Sequence, residues 1–300
     1  MARMISKEEM LSRIVEPIRE AMAKGDLLWL RGWNKGAGGG LNFNPSKAGD
    51  PEYTGAVNNL LMWIAAATRG YGDPRWMTYR QAKKRGWKLL PGEWDKGGQE
   101  VYRPQMGWYT DKQDGNKRKP FVKGWHVYSV FNAQQFDGIP PMETLEDLDT
   151  VTGYERAEAF YAALDVETTH AGNQAKYSPS LDMITMPPTG LFTDTDEYHA
   201  VRLHEIGHST GHKSRLDRGL FGEGMAAYAQ EELVAELFSA FACAHLGIQK
   251  EGMTQNHAAY LQSWHRRLGE KPQLFLDAVN AAWKALAWAR EQDPSPTHGE

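Results

Sequence analysis

The stretch YHAVRLHEIGHSTGHKSRL, residues 198–216, sets His204 and His208 four positions apart with Glu205 between them. On a helix that spacing turns the second imidazole only about 40° from the first and one turn along, so both rings can converge on one ion. Two neutral imidazoles leave a divalent metal Lewis acidic. Glu205, beside them but not a ligand, is placed to take a proton from a water that the ion activates. The pattern predicts metal-assisted hydrolysis, with His204 and His208 as ligands and Glu205 as general base. Zinc is the default for this donor set; divalent manganese, iron or cobalt suit it too.

A third protein ligand is needed, and the next helical stretch, AYAQEELVAELFSAFACAHLG (227–247), offers Glu231, Glu232 and Glu236. Carboxylates among small and apolar residues are costly to bury unless something positive meets them. Glu232 and Glu236 share a face with Ser239 and Cys243. Glu232 is assigned as the ligand and Glu236 as the acceptor that orients a ligand histidine; Glu231, one position out of phase, remains the alternative ligand. Gly211 should end the first metal helix and leave His212 in a turn, where a supporting role fits better than ligation. For the group that stabilises an oxyanion, Tyr228, His212 and His257 are the candidates. His199 points about 140° from His204, and His170, His245, His265 and His298 have no partner in sequence. Just upstream, LDMITMP (181–187) reads as a strand that lies along the cleft and pairs with an extended peptide.

The elements that must position these groups occupy the second half of the chain, which is mainly helical. Helices are expected over about 156–168, 194–209, 224–246, 255–268 and 272–291, with a strand at 183–186. The 300 residues suffice for two cores, and charge divides them. Residues 1–142 hold 22 Lys and Arg against 14 Asp and Glu, a net of +8, whereas 143–300 hold 12 against 24, a net of −12. The turn in composition at PPMETLEDLD (140–149) places a linker at 143–153 between domains 1–142 and 154–300. The fold class is α+β with two domains. No run of 18 apolar residues occurs and the N-terminus carries charges, which argues for the cytoplasm and against a membrane. The one cysteine, Cys243, sits in an apolar run and reads as a buried, inert thiol.

The first half begins with a helix from Ser6 to Ala23, capped by Ser6 and interrupted at Pro17, which predicts a kink or an early end. A glycine-rich loop over 35–55 lacks a nucleotide-binding spacing. Helices at 56–68 and 78–86 follow, then strands near 88–90, 100–103, 107–110 and 124–131, with a charged excursion at DKQDGNKRKP (111–120). Eight of the eleven tryptophans lie here, including Trp29, Trp33, Trp63, Trp94, Trp108 and Trp125. In RGYGDPRWMTYRQAKKRGWKLLPGEW the cations Arg69, Arg75, Arg80, Lys83, Lys84, Arg85 and Lys88 interleave with Trp76, Tyr79 and Trp87. Cations for phosphates and rings for unpaired bases suit single-stranded nucleic acid better than a duplex whose bases are already stacked; composition alone equally allows that the tryptophans fill a small core and the cations solvate its surface.

Three segments of this half, EYTGAVNNLLMW (52–63), GYGDPRWMTYRQAKKRGWKLLPGE (70–93) and VYSVFNAQQFDGIP (127–140), resemble the single-stranded-DNA-binding domain of the ArdC-type antirestriction proteins of conjugative plasmids, found also in plasmid primases. HEIGHSTGHKSRLDR (204–218), YAQEELVAELFSAFACAHLG (228–247) and HAAYLQSWHRRL (257–268) resemble the zincin-like metallopeptidase domain of the same proteins. The resemblance implies a small α+β DNA-binding domain followed by a mainly helical zincin-like domain. It also implies a protein that binds incoming single-stranded DNA and protects it, or its double-stranded product, from host restriction. His204, His208 and Glu232 become the metal ligands and Glu205 the base of an endopeptidase acting on a protein or peptide. The glycine-rich GAGGGLNFNPSKAGDPEY (36–53) departs from the shorter segment of relatives. Two other readings stand beside this one: a metalloprotease whose first domain recruits protein substrates, and a DNA-binding or decoy module whose metal is only structural.

Overall fold

Helix α1 (Lys7–Ala23) starts where expected: the Ser6 hydroxyl accepts a hydrogen bond from the Glu9 N–H at 3.1 Å. Pro17 does not end it, because Ile14, Val15 and Ile18 are all buried and hold both sides of the proline in place. The computed structural model describes residues 3–25, 42–45, 47, 51–115, 117–141, 153–219, 224–248 and 257–293. Most of the glycine-rich loop, Trp29, Trp33 and all of the expected linker but Gly153 fall outside them.

The basic half continues through α2 (Ala56–Arg69), β2 (Trp76–Met77), α3 (Tyr79–Lys84), β3 (Lys88–Leu89), α4 (Glu93–Lys96), β4 (Gln99–Asp111), β5 (Lys117–Asn132) and β6 (Phe136–Asp137), preceded by β1 (Arg3–Ile5). Gly86, at φ +82°, takes the left-handed turn that follows α3. Strand β5 is the spine of the sheet. It pairs with β4 along one edge, and on the other with β1 at 125–127 and β2 at 131–132. The outer edge of β4 is met at Tyr102 by Asn58 of α2, whose amide both donates to the Tyr102 carbonyl and accepts from its N–H, each at 2.8 Å. Half of the expected charged excursion is strand: β4 runs to Asp111 and β5 starts at Lys117, the two forming one hairpin with turn residues at 112–115. Pro104 and Pro120 are tolerated because neither lies where a second neighbouring strand would need its N–H.

The acidic half comprises α5 (Gly153–Leu164), β7 (Glu167–His170), β8 (Lys176–Ser178), β9 (Met183–Met186), α6 (Thr195–Ser209), α7 (Met225–Leu246), α8 (His257–Glu270) and α9 (Gln273–Gln292). The helix expected to reach residue 168 stops at Leu164, where Asp165 turns at φ +49° and β7 begins. Strand β9 is as expected in extent but central, with β7 parallel on one side and β8 antiparallel on the other. Both its edges are taken, so it has no free main-chain groups for a peptide and that expectation is corrected.

One apolar core runs through both halves. Met10 and Ile14 of α1 share it with Phe160, Phe238 and Leu286. Trp63 of α2 reaches into the acidic half, its ring centroid 5.2 Å from that of Phe241 and 6.2 Å from that of Trp283. Cys243 is buried in this core. Among the described residues no helix is long and apolar enough to cross a membrane.

Candidate metal centre and nucleic-acid cleft

Helix α6 is capped by Asp194, which accepts from the Glu197 N–H at 2.8 Å, and it lies against α7 through Gly207. A Cβ on Gly207 would stand 2.9 Å from Ala235 Cα and 3.0 Å from its carbonyl oxygen, so only glycine lets the helices come this close. Ser239 of α7 donates to the Ala200 carbonyl at 2.8 Å along the same seam. This contact sets the histidines of one helix against the glutamates of the other.

His204 Nε2 and His208 Nε2 are 3.1 Å apart; Glu232 Oε2 lies 3.5 Å from the first and Glu232 Oε1 3.6 Å from the second. Tetrahedral bonds of about 2.1 Å put ligand atoms about 3.4 Å apart, so the three side chains fit one divalent ion. Behind them stand two more carboxylates. Glu236, fully buried, has Oε2 3.3 Å from His204 Nδ1, and Glu231 has Oε1 3.5 Å from His208 Nδ1. A carboxylate behind each Nδ1 favours a proton on that nitrogen, the tautomer in which Nε2 of each ring is the atom offered to a cation at the shared point.

The charges agree. Burial works against a charged His204, yet contacts with Glu232 and Glu236, aided by the nearby Glu205, override it and push its pKa up to about 10. Burial likewise opposes ionised Glu232, but His204, His208 and the Tyr228 hydroxyl together bring it down to about 2. The cluster is built for positive charge.

Glu231 is also paired with Arg218 through both its oxygens, Nε to Oε2 at 3.0 Å and Nη2 to Oε1 shorter still. Arg218 also donates to the Gly207 carbonyl at 2.8 Å and to the Thr210 hydroxyl, pinning the end of α6 to α7. Glu231 thus stands behind His208, and Arg218 is a residue that sequence reasoning did not single out; a cation ten residues past the second histidine, beyond the end of the helix, had no periodic signal to mark it.

Glu205 is 7% exposed and follows His204 on α6. Tyr228 sends its hydroxyl to Glu232 while nearly half of the side chain remains open. His212 turns elsewhere: its Nδ1 meets Ser214 Oγ at 2.7 Å and Asp182 Oδ2 at 3.4 Å, in a group with Arg215 and Tyr177 that ties the loop after α6 to the β8–β9 turn. His257 opens α8, and its side chain lies outside the described residues. His199 is buried beneath Tyr154 and accepts or donates at 3.0 Å with the Tyr161 hydroxyl, away from the ligands.

A cleft of about 1450 Å³ opens between the sheet, α2, α3 and α4 of the basic half and α9 of the acidic half. Tyr79, Arg80, Trp94, Arg103 and Phe131 line it. Trp94 is 63% exposed, stacked on Phe131 at 6.0 Å and edge-on to Tyr79 at 5.4 Å. The expected DNA-contacting set is divided by the fold. Trp76 is fully buried between the sheet and α2, so it cannot stack on a base, and it is withdrawn from that set. Arg75 is held by Asp73 and the Pro140 carbonyl, Arg69 donates to the Gly97 carbonyl, and Trp87 is half-buried against Met77 and Phe131. Lys83, Lys84, Arg85 and Lys88 stay exposed on and just after α3.

Residues 8–131 match the family described as the N-terminal domain of anti-restriction factor ArdC, and residues 155–281 match the zincin-like metallopeptidase family MPTase-PolyVal. An uncharacterised protein, y4eC of Sinorhizobium fredii, is 38% identical over 87% of this chain and 83% of its own length. DNA primase TraC of Escherichia coli is 35% identical over 92% of this chain, which corresponds to only 26% of that longer protein. Crystal structures of antirestriction protein ArdC from plasmid R388 superpose with TM-scores of 0.74 (metal-free, 33% identity, 94% of this chain and 97% of that one) and 0.71 (Mn(II)-bound, 32% identity, 95% and 98%).

Proposed function

Because the chain belongs to the ArdC-type antirestriction family, we propose that it acts in the cytoplasm by holding single-stranded DNA in the cleft of its basic half. There it shields incoming conjugative DNA, and the duplex made from it, from host restriction. The observation that carries this reading is the cleft wall. Trp94 and Tyr79 offer exposed rings to unpaired bases, and Arg80 and Arg103 offer charge to the phosphates between them. Anisotropy of a labelled oligothymidylate at two salt concentrations tests it: binding that weakens as salt rises is expected, and no binding at low salt would overturn it.

The acidic half adds metal-dependent hydrolysis of a protein or peptide. A divalent ion, zinc by default, would be held by His204, His208 and Glu232 and supply Lewis acidity to a water and a scissile carbonyl. Glu205 takes the proton from that water and returns it to the leaving amine. Glu236 and Glu231 keep the two imidazoles turned inward, and the hydroxyl of the half-exposed Tyr228, beside Glu232, is placed to donate to the carbonyl oxygen as it gains charge. A second reading, in which the metal only braces the fold, is favoured by the ligands' joining α6 to α7 at the centre of the core. Restriction protection by Glu205→Gln separates them: lost protection with unchanged folding supports hydrolysis, and full protection with metal-dependent melting supports bracing.

A further inference from the structure

Beyond the bulge where Gln105 pairs with Gly124 and Met106 with Val122, strands β4 and β5 leave the sheet together. Among the described residues the far edge of β5 is covered by β1 at 125–127 and β2 at 131–132, so residues 106–111 and 117–122 form a two-stranded arm about 20 Å long at ~3.3 Å per residue. Five of the molecule's exposed large apolar side chains stand on it: Met106, Trp108, Tyr109, Phe121 and Val122, between 42% and 57% exposed. A patch of this size on an arm that packs on no other element among the described residues calls for an occupant.

The register sorts the arm into two faces. Met106 opposes Val122, Trp108 opposes Pro120 and Thr110 opposes Arg118 on one; Gly107 opposes Phe121, Tyr109 opposes Lys119 and Asp111 opposes Lys117 on the other. On the second face Lys117 and Lys119 are already neutralised by Asp111 and Asp114. The first face has no carboxylate, and Arg118 lies over the Trp108 ring at 5.7 Å from its centroid. From Arg103 to Gly124 the arm carries six Lys and Arg against two Asp. Its root is the cleft itself, since Arg103, Pro104 and Trp125 line that cleft immediately before the strands depart.

We infer that the Trp108–Arg118 face of this arm is a second single-strand contact, on which DNA leaving the cleft lays a base against Trp108 and a phosphate against Arg118. The inference rests on the reading of the cleft given above. Unpaired bases suit it better than a duplex, because an exposed ring on a flat ribbon gains a stacking partner only from a base that has lost its own. The excess of cations and the continuity with the cleft favour a nucleic acid over a protein partner.

The test uses the full chain, a short labelled oligothymidylate of about 6 nucleotides that fills the cleft alone, one several times longer, and a duplex of the longer length. Trp108→Ala, Arg118→Ala and their double variant should bind the short strand as the wild type does and the long strand on the order of 10-fold more weakly. Trp108→Phe should restore most of the loss, and photocrosslinking of the long strand should map to residues 106–122. Equal long-strand affinity in the wild type and the double variant overturns the inference, as does a loss seen only with the duplex. If the wild type binds neither single strand, the cleft reading has failed and the arm falls with it; a failure of the arm alone leaves wild-type binding intact.

Discussion

Glu236 stands directly behind His204, its Oε2 3.3 Å from Nδ1, in a position with no exposure to solvent. Such an acceptor fixes the ring and raises its basicity toward a metal. Glu236→Gln keeps the shape and removes the charge, so metal affinity should fall by about 10- to 100-fold while the fold persists. Competition with a chromophoric chelator, read beside far-UV circular dichroism, checks both halves of that statement.

Arg218 and Glu231 form a pair in which the carboxylate side chain is 1% exposed and the guanidinium 9%. Removing one partner strands a buried charge, and Arg218→Met should cost about 3–5 kcal/mol in urea denaturation. Replacing both residues with apolar ones of similar size should recover much of it. If the double variant is no more stable than the single one, the pair is not what holds the end of α6.

Gly207 is where α6 meets the backbone of Ala235. Gly207→Ala should push the two helices apart and cost about 1–3 kcal/mol. Because the ligands are divided between those helices, metal affinity should fall in step with the melting temperature, which isothermal titration and thermal scans of the same variant will show.

Burial, more than the charges of Glu158, Arg202 and Asp196 around it, holds the pKa of His199 below its ordinary 6.5. A depressed folded value means that the unfolded chain takes up the proton first. The stabilising effect of neutral His199 is therefore complete above pH ~6.5 and is lost as pH falls toward the lower folded value. Between pH 7 and 5 the melting temperature of the wild type should drop more steeply than that of His199→Phe, whatever the difference between their plateaus.

The metal helix was legible because a 3.6-residue period converts spacing into direction: His204 and His208 had to share a face, and Glu232 and Glu236 likewise. Partners across helices were not. Arg218 finds Glu231 only through the close approach at Gly207, which no period encodes. Tryptophan is also ambiguous in sequence, since Trp76 and Trp94 stand in equally basic surroundings and yet one is fully buried and the other 63% exposed. Strands β7 and β8 are too short to show alternation, and the long hairpin hid behind Pro104 and Pro120, which fall outside the expected strands although a ribbon with open edges accommodates them.

The charge reverses near residue 142, but the apolar core does not stop there. Trp63 is a dowel driven from the basic half into Phe241 and Trp283 of the acidic one. Cutting the gene at the charge boundary would leave one fragment with a protruding tryptophan and the other with an empty socket, so the two halves are expected to be inherited, shuffled and degraded as a single piece.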